Sequence, residues 1–197
     1  MKKTILTALL ALAGLHLQGQ GKVNFANNSA TAVTNSLTAA RVVTGTTFLA
    51  ALYYAADGVT DENQFLQIGA NTGFNPLAGF IAGGTRTVPV DVAPSGGNVM
   101  FQIRAWEAAY GLTYEEALVA PVQNGRRALA GTSNIIRVNT TDANTQPPGI
   151  PASITAGTGL TGFYLNIVVD PAPEPSVLLL ALTGGLATLM LRRGRIS

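Results

Sequence analysis

Glu107, Glu115 and Glu116 form the densest acidic group in this sequence and are the first residues to consider for catalysis. Paired carboxylates hydrolyse glycosides when they face each other about 5–10 Å apart in a cleft. Glu115 and Glu116 are adjacent on a predicted helix, so their side chains point apart. Thr113 and Glu116 have the spacing of a capping box, which accounts for one glutamate without any catalytic role. The helix-cap interpretation is therefore favoured over a glycosidase that uses Glu107 with Glu115.

A second acidic group lies in the loop 57–63, where Asp57, Asp61 and Glu62 are close in sequence. Calcium prefers oxygen ligands, and extracellular modules bind this ion weakly through such loops. The spacing does not match the helix–loop–helix calcium motif. A solvated turn is the favoured interpretation, so no cofactor is expected, and calcium held by these three residues is the weaker alternative.

Trp106, Tyr110 and Tyr114 are the aromatic residues best placed in the sequence to bind a ligand. In a regular strand Trp106 shares the face of Arg104, which the alternation of residue types assigns to solvent. Exposed rings in this group could stack on a sugar or on a protein partner. The alternative is that Trp106 lies beneath the predicted helix 113–120, with the strand ending or bulging first. Burial is favoured, because large aromatic side chains usually supply core area.

Other side chains with catalytic chemistry are scarce in this chain. The 197 residues include no Cys, and the one histidine, His16, lies in a predicted leader segment. A mature chain without His or Cys excludes Ser-His-Asp and Cys-His nucleophiles and zinc sites built from those ligands. We therefore expect that the protein is not an enzyme.

Positions 22–170 are predicted to form one small β-rich domain. Hydrophobic residues make up 47% of the chain and charged residues 11%, which is enough apolar material to bury a core. Short apolar runs separated by Gly-, Pro- and Asn-rich turns are typical of an antiparallel sandwich. We predict a mainly β fold, a single antiparallel β-sandwich of about seven or eight strands with one short helix. Seven Lys/Arg and nine Asp/Glu give this segment a net charge of −2, which argues against a nucleic-acid partner.

Alternation and apolar runs locate the individual strands and turns. Strands are predicted at 22–26, 46–54, 88–92, 99–105, 133–138 and 163–169. The run 46–54 predicts a strand that is buried more fully than the others. Pro89 makes 88–92 an edge strand, because proline cannot donate a ladder hydrogen bond. In 99–105 the solvent-facing set is Met100, Gln102 and Arg104. Turns are predicted at Asp57-Gly58, Gly83-Gly84, Ser95-Gly96-Gly97 and Asn124-Gly125.

The N-terminal residues 1–21 have the pattern of a secretory signal peptide. Lys2 and Lys3 precede an uncharged apolar run, Ile5–Leu17, which is followed by the small-residue stretch Gly19-Gln20-Gly21. The run of 13 residues is shorter than the ~20 needed to span a bilayer. We place the cut after Gly21, with one residue either way equally compatible with the pattern.

The C-terminal residues carry a second targeting pattern. Positions 171–176 are proline-rich and extended, since each proline restricts its own backbone and that of its predecessor. Positions 177–191 are uncharged and mostly aliphatic, and the tail 192–197 follows. A helix packed on a soluble core should show a polar face, which 177–191 lacks, so a transmembrane helix is favoured. Three arginines argue for a cytoplasmic tail by the positive-inside bias: Arg192, Arg193 and Arg195.

Pro173-Glu174-Pro175, followed by an apolar segment and a terminal arginine cluster, resembles the PEP-CTERM sorting signal of exported bacterial proteins. Ala172 departs from the Val that many members have before the motif. Within the domain, pieces such as Arg104-Ala105-Trp106-Glu107 and Tyr114-Glu115 resemble one subgroup of PEP-CTERM ectodomains. The resemblance implies export by the general secretory machinery, transient anchoring in the inner membrane, and processing near Pro175 by an exosortase.

Together these patterns predict an exported protein of the cell surface or extracellular matrix with a structural or adhesive role. Extracellular polysaccharide is an expected partner, alongside the membrane and the exosortase. The alternative is a secreted carbohydrate- or calcium-binding module that uses either the three aromatic residues or the 57–63 loop.

Overall fold

The computed structural model describes residues 20–93, 96–142, 149–155 and 158–169. Over these ranges the chain is mainly β, as predicted, and its α-helix is α1 (Tyr114–Val119). Short 3-10 turns lie at Ser29–Thr31, Glu62–Gln64 and Ala108–Tyr110. The strands are β1 (Gly21–Ala26), β2 (Thr34–Asn35), β3 (Ala40–Arg41), β4 (Gly45–Ala56), β5 (Leu66–Phe74), β6 (Ala82–Thr87), β7 (Asn98–Glu107), β8 (Leu129–Thr132), β9 (Ile136–Asn139), β10 (Thr141–Asp142), β11 (Ala152–Ser153) and β12 (Tyr164–Ile167).

These strands form two sheets. In the smaller sheet, β1 is the central strand and pairs with β10, β11 and β6. The larger has the order β3-β2-β12-β8-β7-β4-β5, with β9 beside the first half of β7. The predicted seven or eight antiparallel strands need correction, because the described residues hold twelve strands and the pairs β1–β11 and β12–β2 are parallel. Four of the strands are two residues long, too short to show an alternating pattern.

The main apolar core draws side chains from both sheets. Val23 and Phe25 of β1 are fully buried with Leu52 of β4 and with Phe101 and Ile103 of β7. In β7 these inward positions alternate, as predicted from the sequence. The shared cluster shows that the alternating apolar positions of 99–105 mark a true core face.

The opposite face of β4 and β7 is also buried, which corrects one prediction. Met100, Gln102 and Arg104 were expected to face solvent, but all three are buried. A second apolar cluster lies on this face and includes Tyr53 and Trp106, with α1 packed against it through Ala117. Because α1 covers this face, the polar residues that alternate along β7 are buried rather than exposed.

Segment 88–92 is not a strand, contrary to the prediction. β6 ends at Thr87, and the last ladder bond is donated by the Val88 N–H to the carbonyl of Gly21 at 2.8 Å. The N–H groups of Val92 and Ala93 then both bond to the carbonyl of Pro89 at 3.1 Å and close a turn. Because Pro89 has no N–H, the ladder cannot continue through it.

Gly83 and Gly84, predicted as a turn, instead lie inside β6. Gly84 pairs with Phe25 of β1, whereas Gly83 falls at the register shift between Phe25 and Ala26, and a side-chain Cβ at Gly83 would overlap the ring of Phe25. Glycine at this position lets the Phe25 ring pack closely on the strand. Glycine pairs also favour turns, so the sequence alone did not distinguish the two roles.

Several local predictions agree with the structure. The predicted strands 22–26, 46–54 and 163–169 correspond to β1, β4 and β12, and β4 is buried on both faces. The predicted strand 133–138 is shifted, since β8 ends at Thr132 and β9 begins at Ile136. Asn124-Gly125 forms the predicted turn, with positive φ values of 50° and 77°.

Candidate functional site

The candidate functional residues lie around α1. This helix begins where the sequence predicts. The Oγ1 of Thr113 accepts a hydrogen bond from the Glu116 N–H at 3.2 Å, and the Oε2 of Glu116 accepts one from the Thr113 N–H at 3.2 Å. The reciprocal bonds form the predicted capping box. Glu116 is thereby assigned to the cap, and its neighbour Glu115 points towards the sheet.

Glu115 belongs to a polar group that we call the Arg104 cluster: Tyr53, Gln102, Arg104, Tyr114 and Glu115. The guanidinium of Arg104 donates from Nη1 to Glu115 Oε1 at 3.2 Å and from Nε to Gln102 Oε1 at 3.0 Å. The ring of Tyr53 lies 4.2 Å from the guanidinium carbon, and the ring of Tyr114 lies 5.4 Å from it. A buried cation is thus matched by one carboxylate, one amide and two aromatic faces, which offset its desolvation.

The same arginine reaches across to the 57–63 loop. Its Nη2 donates to the backbone carbonyl of Glu62 at 2.6 Å. Gln102 in turn donates from Nε2 to the carbonyl of Ser133 at 3.2 Å. The cluster therefore joins β7 to α1, to the 3-10 turn Glu62–Gln64 and to the segment after β8.

Tyr53 completes the contacts of Glu115. Its hydroxyl donates to Glu115 Oε2 at 3.0 Å. Burial raises the pKa of Tyr53 well above its ordinary value, and the adjacent negative charge of Glu115 raises that pKa further. The phenol therefore stays protonated and acts as a hydrogen-bond donor rather than as a base.

Trp106 is fully buried, as the favoured interpretation predicted. Its Nε1–H donates to the carbonyl of Gly111 at 3.0 Å, and its ring meets that of Tyr114 edge to face with centroids 6.3 Å apart. The strand neither ends nor bulges first, because β7 pairs regularly with β4 through Glu107. Burial comes from α1 and the turn before it, which cover a regular strand.

Tyr110, the third aromatic candidate, is also buried. Its hydroxyl donates to the carbonyls of Gln123 and Arg126 at 3.1 and 3.0 Å. The three candidate rings therefore contact protein groups, with Trp106 and Tyr110 presenting almost no surface to solvent.

Glu107 forms a separate ion pair with Arg126. The two guanidinium nitrogens lie 2.6 and 2.7 Å from the two carboxylate oxygens, a bidentate geometry. The hydrogen bond to Glu107 raises the pKa of Arg126. Glu107 and Glu115, the carboxylates considered for glycoside hydrolysis, are each bound to a different arginine, so the geometry supports structural ion pairs.

The carboxylates of Asp57 and Asp61 in the 57–63 loop accept hydrogen bonds from protein groups. Both carboxylate oxygens of Asp57 accept hydrogen bonds from Arg137 at 2.6 Å, and this contact lowers the pKa of Asp57. The carboxylate of Asp61 accepts from the Asn63 N–H at 3.0 Å and caps the following turn. Among the residues that the structure describes, no group of three or more Asp, Glu or His is placed to hold a metal ion.

Gln102, Arg104 and Tyr53 were not identified as a functional group from the sequence. The sequence feature that could have revealed this group is the predicted deep burial of 46–54. A strand buried on both faces requires a layer on each side, and its neighbour β7 must share both layers. Tyr53 pairs directly with Gln102, so that inference would have placed the polar face of β7 under cover.

The predicted sorting residues Pro173, Glu174 and Pro175 and the tail residues Arg192, Arg193 and Arg195 lie outside the described residues, as do the linker 171–176 and the segment 177–191. The predicted signal peptide 1–21 overlaps the described residues only at positions 20 and 21. Within the described ranges, no helix is long and apolar enough to span a bilayer. Comparison with protein-family models, curated proteins and solved structures finds no match.

Proposed function

We propose that this chain is an exported, non-enzymatic protein of the cell surface or extracellular matrix, anchored briefly in the inner membrane and processed by an exosortase. The observation that carries the proposal is the complete order of signals after the last strand. β12 ends at Ile167, and Pro173-Glu174-Pro175, the apolar segment 177–191 and the terminal arginines then follow in sequence. A leader with the secretory pattern at 1–21 supports the same route.

The sorting tripeptide suits recognition by a membrane-embedded enzyme. A Pro-X-Pro segment is extended and has little conformational entropy to lose on binding. The apolar segment of 15 residues is about 22 Å long as a helix, and the flanking arginine stems extend that reach by placing their charges at the interface. The tail would then hold the chain in the membrane until the motif is cut.

The proposed role of the β-sandwich ectodomain is structural or adhesive. Support comes from its polar side chains, which hold segments of the domain together. Arg104 binds Glu115, and Arg126 binds Glu107. A domain of this kind supplies a stable body that can be displayed at the surface or embedded in polysaccharide.

The test is expression of the full chain beside a version lacking 173–197, followed by fractionation. We expect the full chain in the membrane fraction and then in a shortened surface form, and the truncated chain in the medium. Equal release of both chains would contradict anchoring by the tail.

A second variant separates anchoring from processing. Changing Pro173 and Pro175 to Ala retains the apolar segment and the arginines, so the chain should remain in the membrane at full length. Pro171→Ala, beside the motif, is the matched control and should be processed normally. Processing of the double variant at the normal rate would contradict recognition of the motif.

Mass spectrometry of the mature termini locates both cuts. The predicted N-terminal cut follows Gly21, whose carbonyl accepts the hydrogen bond from Val88 and whose Cα pairs with Asp142. A cut one residue earlier would retain these contacts of β1. A mature chain that still begins at Met1 would contradict the export signal.

A further inference from the structure

The chain leaves the described domain beside the end of α1. Ile167 of β12 pairs with Leu129, and the Val168 N–H donates to the carbonyl of Ala128 at 2.9 Å, so Val169 comes opposite Arg127. Arg127 donates from Nη2 to the carbonyls of Leu118 and Ala120 at 3.2 and 3.4 Å. The exit point and the C-terminal end of the helix therefore share one end of the domain.

Three valine side chains at this end are more than half exposed, and we call them the exit surface: Val119, Val122 and Val169. Their exposed fractions are 77%, 61% and 80%. Exposed aliphatic area of this size is unfavourable in water and gains free energy wherever water is excluded from it.

The linker length determines what can reach the exit surface. Asp170 to Ser176 is seven residues, and an extended proline-rich chain spans about 3.1 Å per residue, or roughly 22 Å in all. A folded domain of about 150 residues has a radius of gyration near 15 Å and is therefore roughly 40 Å across. When 177–191 lies in the membrane, the domain cannot turn its exit end away from the lipid, and the exit point stays within roughly 22 Å of it.

We propose that the exit surface rests on the bilayer, with Val119, Val122 and Val169 inserted among the lipid headgroups while the tail is anchored. This inference depends on the proposed function, because the tail must first lie in the membrane. The bilayer is the occupant that the exit point favours, since the linker keeps the exit point within roughly 22 Å of the lipid. Contact would limit rotation of the domain and present the linker to a membrane-embedded enzyme in a restricted orientation.

The absence of Cys from the sequence permits a site-specific test on the full chain. Single substitutions Val119→Cys and Val122→Cys are labelled with a polarity-sensitive fluorophore after reconstitution into vesicles of phosphatidylcholine and phosphatidylglycerol. The matched control is Leu66→Cys, because Leu66 is also 61% exposed. Leu66 pairs with Tyr54 near the opposite end of β4, whereas Phe48 and Glu107 lie near the exit end.

We expect blue-shifted emission at Val119 and Val122 and severalfold stronger quenching by headgroup-labelled lipids than at Leu66. Equal emission and quenching at the three sites would overturn the inference. Shielding that rises with protein density but brings no lipid quenching would identify a second copy as the occupant and would also overturn it.

A label at Ala187→Cys, in the apolar segment, separates this inference from the function on which it depends. Quenching of that label by lipids carrying the quencher deep in the acyl chains is expected for an inserted tail. Deep quenching at Ala187 with no quenching at Val119 and Val122 overturns the exit-surface contact alone. No quenching at Ala187 overturns the anchoring and the contact together.

Discussion

The two faces of β4 and β7 bury side chains of opposite character. Towards the smaller sheet, the strands present apolar residues such as Leu52, Phe101 and Ile103. Towards α1, they present Tyr53 and Arg104 beside apolar neighbours. Both faces are closed to water, so polar residue type and exposure are separate properties in this sheet.

The difference lies in how each face compensates for burial. Apolar side chains gain free energy directly when they leave water. Arg104 loses hydration, and its compensation comes from Glu115, Gln102, the carbonyl of Glu62 and the ring of Tyr53. The apolar face therefore depends on packing volume, whereas the polar face depends on specific partners.

The largest effect is expected from Phe101→Ala, which tests the apolar face. Phe101 is fully buried, and truncation of such a ring lowers the free energy of unfolding by about 3–5 kcal/mol. Urea unfolding followed by Trp106 fluorescence measures the change. Leu66→Ala, on the exposed side of β5, is the control and should change the free energy by less than about 0.5 kcal/mol. Equal effects of the two substitutions would contradict the assigned core.

Arg104→Ala tests the polar face and should rank second. We expect a loss of about 2–3 kcal/mol, below the 3–5 kcal/mol range of fully buried pairs, because Glu115 is half exposed and can turn to water. Arg104→Met keeps an apolar stem beneath Tyr53 and should lose less. Urea unfolding that leaves Arg104→Ala within about 0.5 kcal/mol of the natural chain would show that the cluster does not stabilise the fold.

Tyr53→Phe removes one hydrogen bond from the same cluster and should cost about 1 kcal/mol at neutral pH. The pKa of Tyr53 is raised in the folded chain, so its contribution is present below the ordinary tyrosine pKa of about 10. The contribution is lost as the pH rises through the raised value. The stability difference between the natural chain and Tyr53→Phe should therefore fall above about pH 10. A difference that stays constant to higher pH would contradict the shifted pKa.

Arg137→Ala should have the smallest effect, although its contacts with Asp57 are shorter than those of Arg104 with Glu115. Both members of the pair are solvent-accessible, and water and salt screen their attraction. The pKa of Asp57 is lowered, so any stability it adds is present above pH 4 or so and disappears as the pH falls through the lowered value. Thermal unfolding at low and high salt measures the difference. An effect as large as that of Arg104→Ala would contradict the comparison.

Much of the fold was predictable where the cause is local. The capping box of Thr113 and Glu116 needs only residues of the same turn, and Asn124-Gly125 needs only backbones that tolerate positive φ. The two-residue strands β2 and β11 were missed because their pairing partners are distant in sequence. Gly83 was assigned to a turn because its close contact with Phe25 cannot be read from neighbouring residues.

The candidate site was predicted only in part. The burial of Trp106 follows from its size, and the role of Glu116 follows from its spacing to Thr113. The ion pairs of Glu107 with Arg126 and of Asp57 with Arg137 join residues 19 and 80 positions apart. Spacing along the chain contains no information about such pairs, so the sequence favoured a turn for the acidic loop but left a calcium site open as the weaker alternative.

By itself, the sequence determined the mainly β character, the helix start and the core face of β7, because each depends on residue types within a few positions of one another. The two patterns that we propose as targeting signals, at 1–21 and 171–197, are likewise contiguous stretches of residues. Only the tertiary structure decided that the polar face of β7 is buried and that Arg104 has Glu115 as its partner. The physical reason is that burial of a charge depends on which distant groups replace its water, and folding alone brings those groups together.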